Sequence, residues 1–253
     1  MGKSCIRNAI GRLSQLKDIT ITEDAINVQT NADIASNNII LNTLEDSGLA
    51  CNVFSEEETS IVKINGGDEN VTIVIDPIDN THLYLRGEIP FCSVALMFLI
   101  QGIPKYSFIG DISTGDIYYC NEKHAYKNDE LLSVPSDTPG RDIILGWAPY
   151  KMRMERLITN LIDLTENDYY LYNFGGQLQA VKIATGHYDA YVEVRAETLN
   201  EFCAAIIVER AGGWVTTIQG KNIEYIPGKL QTLLIARNKK IHEDILKRLE
   251  GRD

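Results

Sequence analysis

The sequence predicts a layered α/β fold, with helices over an antiparallel N-terminal sheet and then a smaller α/β half. Three observations predict it. Apolar residues recur at helical spacing at both ends of the chain. Between residues 91 and 127, β-rich runs alternate with the turn residues Gly102, Pro104, Gly110, Asp111 and Gly115, the pattern of an antiparallel meander. Beyond residue 140, strand-like and helix-like segments alternate, which implies an α/β layer.

Taken in order, Ile6, Ala9, Ile10, Leu13 and Leu16 lie on one face of an opening helix. Residues 18–30 are polar and Thr-rich, a mobile loop or a short hairpin. A second helix carries Ile34, Leu41 and Leu44 on one face and stops at Glu45-Asp-Ser-Gly48. Asp33 sits near its start, where a carboxylate favours the positive helix end. Residues 51–54 read as a short strand ending in Ser55-Glu56-Glu57-Glu58, and a charge run of that kind is ordinarily solvated, Glu58 included. Residues 61–64 and 71–75 are expected to be adjacent strands joined through Asn65-Gly-Gly-Asp68. The meander follows, with strands at 91–100, 106–109, 117–120 and 125–127.

Two prolines and a glycine within 132–140 mark a boundary, dividing the chain into 1–132 and 133–253. Beyond it the pattern gives strands at 143–147, 169–173, 190–194, 214–217 and 232–236. Helices are expected at 150–164, 177–185 and 201–211, and Ile241, Ile245 and Leu249 mark the last one.

Bulk properties narrow the function. At 253 residues, with 44% hydrophobic and 23% charged content, the chain has an ordinary globular composition. A net charge of −11 argues against a nucleic-acid surface, which needs clustered Lys and Arg. The five cysteines (Cys5, Cys51, Cys92, Cys120, Cys203) are scattered without a Cys-x-x-Cys, and the four histidines show no ligand spacing. Together with the lack of a signal-like or membrane-length apolar run, this reads as a cytoplasmic protein with no membrane partner.

The chemistry concentrates on Asp76-Pro-Ile-Asp79-Asn80-Thr81, which follows the β-branched run 71–75. Proline cannot continue a central strand, so a turn is expected there. An Asx turn with a helix cap would explain that stretch alone. Acids at the end of a buried strand, however, need a positive partner, and only oxygen ligands are on offer, which suits a hard divalent cation. Three acidic groups, Asp33, Glu56 with Glu57, and Asp76 with Asp79, end predicted elements and can converge. Two cations so held would template in-line attack on phosphorus.

These residues resemble the inositol monophosphatase family of Mg²⁺-dependent, Li⁺-sensitive phosphatases, and its archaeal inositol monophosphatase/fructose-1,6-bisphosphatase branch most. The resemblance runs through Thr30-Asn-Ala-Asp33, Ser55-Glu-Glu57, Asp76-Pro-Ile-Asp79-Asn-Thr81, Phe174-Gly-Gly176, Gly186-His-Tyr-Asp189 and Ala211-Gly-Gly213. It implies the αβαβα sandwich of the sugar phosphatases. It implies two or three Mg²⁺ ions (or Mn²⁺) on Glu56, Asp76, Asp79, the carbonyl of Ile78 and residue 200. Thr81, paired with Asp33 and supported by Glu57, would orient and deprotonate the attacking water. Asn80, Thr81, Gly175 and Gly176 would offer backbone N–H groups to the phosphate, although the glycines serve a simple tight turn equally well. Glu193 would meet sugar hydroxyls or be a solvated strand-end acid, and Arg195 would meet a second phosphate or be a surface arginine.

The resemblance thus implies hydrolysis of a sugar or polyol phosphate such as inositol 1-phosphate or fructose 1,6-bisphosphate, by a homodimer sensitive to lithium. The alternatives are a weakened relative that only binds its ligand, or a 3′-phosphoadenosine nucleotide phosphatase. Two departures motivate the first of these. The family's second-metal Asp falls on Asn200, with Glu201 expected to point away and Glu197 able to reach in if the loop folds back. The family's Ser falls on Gly176, which removes a side-chain contact and blurs substrate identity.

Overall fold

A computed structural model describes residues 1–24, 28–135, 143–148 and 169–250. Five layers are stacked in the order helix, sheet, helix, sheet, helix. One outer layer is α1 (Gly2–Leu13) and α2 (Asn31–Asp46), which follow each other across the small hairpin β1 (Ile21–Asp24) and β2 (Val28–Thr30). The hairpin resolves the two readings of residues 18–30. The predicted helix at 150–164 lies outside the described residues.

The large sheet has eight strands: β3 (Cys51–Ser55), β4 (Val62–Ile64), β5 (Val71–Asp79), β6 (Ser93–Ile100), β7 (Ile103–Asp111), β8 (Ile117–Cys120), β9 (Ala125–Lys127) and β10 (Glu130–Leu132). Their spatial order is β10-β9-β8-β7-β6-β5-β3-β4. Every neighbouring pair is antiparallel except β3 with β5. The expected adjacency of β4 and β5 is therefore wrong: β3 lies between them, parallel to β5.

The strand period of two explains why β5 and β6 are apolar without interruption. Ile73, Ile75, Val94, Leu96 and Phe98 face α1 and α2, joining Ile6, Ala9, Ile40 and Leu44. Val74, Ala95, Met97 and Leu99 face the other way, onto α4 (Gly176–Val181) and α5 (Cys203–Arg210). Those two helices are the middle layer. Their far side meets Tyr191, Leu233 and Ile235 of the second sheet.

That sheet comprises β11 (Ile143–Ala148), β12 (Tyr169–Tyr172), β13 (Ala190–Glu197), β14 (Trp214–Thr216) and β15 (Gln231–Ala236), ordered β12-β11-β13-β15-β14. Its opposite face, through Ala190, Val192, Leu234 and Ala236, packs on α6 (Lys239–Glu250).

Two sequence signals mean something other than a turn. Strand β5 does not stop at Pro77. Its register slips between Asp76↔Ala95 and Asp79↔Ser93, so two residues oppose one. In that bulge Pro77 needs no ladder N–H, which is why a central strand tolerates it. Gly110 lies inside β7, and a Cβ placed there would sit 2.2 Å from Ile6 Cγ2. The glycine lets α1 settle onto the sheet.

All five cysteines are buried and free. Among the described residues, no helix is long and apolar enough to cross a membrane.

Candidate active site

The parallel pairing of β3 and β5 brings the acids together. With Ser55 opposite Ile75 the ladder between the two strands ends, and the next residues are Glu56 and Asp76. The Glu56 N–H donates to the Ile75 carbonyl at 3.2 Å, extending the ladder one step. Ligands gather beyond the carboxyl ends of parallel strands, and here that edge is acidic.

Asp76 and Asp79 sit on the two ends of the bulge and have opposite surroundings. Asp79 Oδ2 accepts from Ser93 Oγ at 2.9 Å and from the Gln177 N–H at 2.8 Å. Burial nevertheless pushes its carboxyl up to about 6, against those bonds. Among the described residues neither oxygen of Asp76 has a hydrogen-bond partner, and the residue is 1% exposed. Burial raises its carboxyl well above the usual carboxylate range, and Glu56, Glu201, Asp79 and Asp33 raise it further. Carboxylate oxygens of Glu56, Asp76 and Glu201 all lie within 4.8 Å of one another. A buried acid among acids is stable only if neutralised, by a proton or by a cation. The donor set is all oxygen and carries several charges, which fits a hard divalent ion.

Asp33 closes the other side of the bulge. It is fully buried at the start of α2 and forms a capping box with Thr30. Its Oδ2 accepts from the Thr30 N–H at 2.8 Å and from Thr30 Oγ1 at 2.5 Å. Its Oδ1 lies 2.9 Å from Thr81 Oγ1, which also lies 2.8 Å from the Ile78 carbonyl. One hydroxyl proton therefore has two acceptors. Burial raises the Asp33 carboxyl, and the bonds from Thr30 and Thr81 pull it back. Thr81 opens α3 (Thr81–Tyr84) after Asn80, whose φ of +66° is tolerated by asparagine. The Asn80 side chain donates to the Phe91 carbonyl at 2.9 Å and the Gly175 carbonyl at 3.4 Å.

Helix α2 also steadies the strand ends. Ser36 Oγ donates to the Pro77 carbonyl at 2.8 Å, and Ser55 Oγ donates to Asn37 Oδ1 at 2.9 Å. Asn37 Nδ2 donates to Glu58 at 2.8 Å, so Glu58 is a bonded, part-buried acid rather than a solvated one. Glu57 accepts from Gln29 Nε2 of the β1–β2 hairpin.

The second half supplies the facing wall. Gly176 has φ +77°, and a Cβ there would meet Asn80 Nδ2 at 2.4 Å and Asp79 Oδ2 at 2.6 Å. The absence of a side chain is thus a packing requirement of this chain, rather than only a lost substrate contact. The Gly175 N–H is taken by Gln179 Oε1 at 3.0 Å. Glu193 is 7% exposed and accepts from the Tyr191 hydroxyl at 3.1 Å, which rules out a solvated strand-end acid. Burial and then the carboxylates of Glu193, Asp79 and Glu201 push the Tyr191 phenol well above its usual range. The side chains of Arg195 and Glu197 lie outside the described residues.

Asn200 is buried, and its amide reaches Glu56 Oε2 at 3.5 Å while its Oδ1 takes the Thr198 hydroxyl. Glu201 does not point away as expected. Residues Leu199–Phe202 form a 3₁₀ turn ahead of α5 rather than part of that helix. The sequence reading does not single out Ser93, Gln177, Ser36 or Asn37. Gln177 carried a faint signal, since it follows Gly-Gly at a helix start. It joins the halves: its N–H holds Asp79, its Nε2 holds the Asn200 carbonyl at 2.5 Å, and its Oε1 takes the Ala204 N–H at 3.3 Å.

Comparison with known proteins bears on this arrangement. The Inositol monophosphatase family model matches residues 4–252. The fructose-1,6-bisphosphatase/inositol-1-monophosphatase of Methanothermobacter thermautotrophicus is 28% identical over 234 residues, covering 86% of this chain and 82% of that protein. The Nus factor SuhB of Pasteurella multocida is 25% identical over 228 residues, covering 87% and 82%. A solved IMPase/NADP phosphatase, complexed with Mg²⁺ and phosphate, shares the fold with a TM-score of 0.80 at 20% identity, over 97% of this chain and 91% of that one. The chain belongs to the inositol monophosphatase family, and with it to the phosphoric monoester hydrolases.

Proposed function

We propose that the protein is a Mg²⁺-dependent phosphomonoesterase acting on a sugar or polyol phosphate, inositol 1-phosphate or fructose 1,6-bisphosphate among them. The observation that carries this reading is the Thr81–Asp33 pair, 2.9 Å apart, beside the partnerless buried carboxylate of Asp76. Glu56, Asp76, Asp79 and the Ile78 carbonyl would hold two or three ions, with Mn²⁺ able to substitute. Bound there, the ions would lower the pKa of water and stabilise the leaving oxygen.

The chain's own residues then handle the proton. Thr81 gives its hydroxyl hydrogen to Asp33 Oδ1 and turns a lone pair to the attacking water. As the water oxygen bonds to phosphorus and the ester P–O bond breaks, the water's proton passes to Thr81 and the threonine's own to Asp33. The leaving alkoxide takes a proton from a solvent water and departs as the alcohol, and Asp33 returns its proton to solvent. Glu57, held by Gln29, supports that side of the site. Asn80, Thr81 and Gly176 would offer amides to the phosphate, with Gly175 shaping that turn. Glu193 would meet the substrate's hydroxyls, and Arg195 a second phosphate.

A panel of phosphomonoesters assayed with and without Mg²⁺ tests the proposal. Release from inositol 1-phosphate or fructose 1,6-bisphosphate, dependent on Mg²⁺ and inhibited by Li⁺, is expected. Absence of release across the panel overturns it and leaves a ligand-binding relative. One observation favours a second substrate class. Phe174, 38% exposed, stacks on Phe91 with ring centroids 4.1 Å apart, next to Gly175. A flat aromatic surface there suits the base of a 3′-phosphoadenosine nucleotide. Including that nucleotide as a competitor separates the two.

A further inference from the structure

The weakest point of a divalent site in this chain is residue 200, where an amide stands in place of an acid. An amide has one oxygen to offer, and in Asn200 that Oδ1 already accepts from Thr198. The amide's other end, an NH₂, faces Glu56 Oε2 at 3.5 Å. An NH₂ pointed at a carboxylate is a hydrogen-bond donor and offers a cation nothing. The backbone carbonyl of Asn200 is occupied as well, by Gln177 and, at 3.8 Å, by the Cys203 thiol.

The next residue is placed differently. In the 3₁₀ turn Leu199–Phe202 successive side chains are separated by about 120°, at three residues per turn. Glu201 leaves the turn in a different direction from Asn200, and its longer side chain still reaches the strand ends. Its carboxylate comes within 4.8 Å of both Glu56 and Asp76. Three carboxylates from segments far apart in the sequence do not crowd together unforced, because each repels the others. Asp76 adds a second, independent sign. Both its oxygens are buried with no hydrogen-bond partner among the described residues, while nearby Ser55 and Ser93 donate to Asn37 and Asp79.

We infer that Glu201, not residue 200, supplies the C-terminal carboxylate ligand for a divalent ion shared with Glu56 and Asp76. Asn200 is a positioning residue that holds Glu56 through its amide. The charge that an amide at 200 removes is returned one residue later, so the site keeps its three acids. This rests on the phosphatase reading only in taking the ion to be divalent, and not on any hydrolysis.

The test is Mn²⁺ binding to the full chain in the presence of inorganic phosphate, by calorimetry and by loss of the free Mn²⁺ resonance. Glu201→Gln is expected to weaken at least one Mn²⁺ site by about tenfold or more. Glu201→Asp, which keeps the charge on a shorter arm, is expected to recover part of that loss. Asn200→Ala is expected to change binding by no more than about threefold, the worth of one long hydrogen bond. Melting without metal controls for folding: a metal-free Tm of Glu201→Gln within a few degrees of the unaltered chain assigns the binding loss to the ion site. Wild-type-like binding by Glu201→Gln, or larger loss with Asn200→Ala than with Glu201→Gln, overturns the inference. So does a failure of the unaltered chain to bind Mn²⁺. Hydrolysis with unchanged ion binding in Glu201→Gln would sink this inference alone. Ion loss in a chain that hydrolyses nothing would sink the phosphatase alone.

Discussion

The two halves each bury a carboxylate, and they satisfy it in contrary ways. Bordering the second sheet, the Asp189 side chain is 4% exposed, with Oδ1 3.0 Å from Arg237 Nε and Oδ2 accepting the Ile144 N–H at 2.7 Å. Its backbone is tied in as well, donating to the Ile144 carbonyl at 2.8 Å and accepting from the Arg237 N–H at 2.9 Å. At the bulge of β5, Asp76 is just as buried and, among the described residues, has neither an arginine nor a hydrogen bond. An acid whose task is to join strands carries its cation in the sequence. An acid that holds an ion, as proposed for Asp76, leaves that place open, and the fold tolerates the cost.

The contrast can be broken most forcefully from the paired side. Arg237→Met strands the Asp189 carboxylate in the core and is expected to cost about 3–5 kcal/mol in urea unfolding. Adding Asp189→Asn should return much of that loss, because the stranded charge goes with it.

At the open side the same logic reverses sign. Asp76→Asn is expected to leave the metal-free chain at least as stable, since it removes an uncompensated buried charge. Phosphatase activity should fall about a hundredfold or more, and the Mg²⁺-induced rise in Tm should vanish. A drop in metal-free stability would show that Asp76 has a partner after all.

Gly176→Ala tests how tightly the wall fits. At φ +77°, with the new methyl against Asp79, a loss of about 1–3 kcal/mol is expected in thermal or chemical unfolding.

A smaller effect is expected from pH. Burial raises the folded-state value of Asp79 from 3.8 to about 6, so the folded chain holds that proton longer than the unfolded one. The stability this contributes is present below the unfolded value and is lost as pH rises through the folded one. Metal-free Tm should therefore fall between about pH 4 and pH 6, and saturating Mg²⁺ should flatten or invert the trend.

The surface supplies the lower bound. Lys239 and Glu243 pair at 3.4 Å on α6 with both side chains about three-fifths exposed, and Glu243→Gln should change stability by less than about 0.5 kcal/mol.

The layered fold and most of the site were legible because they rest on local signals. Strand runs, turn residues and the order of motifs placed Asp33, Glu56, Asp76, Asp79 and Thr81 at element ends. What escaped depends on who sits beside whom. Nothing in residues 51–79 says that β3 enters between β4 and β5, yet that parallel pairing aligns Glu56 with Asp76. Pro77 reads as a stop until the bulge supplies a place for it. Gly110 reads as a turn until α1 is set against it. The sequence pattern puts Glu201 on an α-helix facing away from the site, whereas it lies in a 3₁₀ turn and its side chain is long enough to reach Glu56 and Asp76. Ser93 and Gln177 gave almost no signal, since ordinary polar residues become Asp79's partners only through packing.

The capping box at Thr30 has a consequence for how this chain can change. Asp33 gives one oxygen to the first turn of α2 and the other to Thr81. Architecture and chemistry thus lean on a single carboxyl group from its two sides. Natural drift cannot adjust one role while sparing the other, and the aspartate at 33 should prove among the least negotiable letters in the gene.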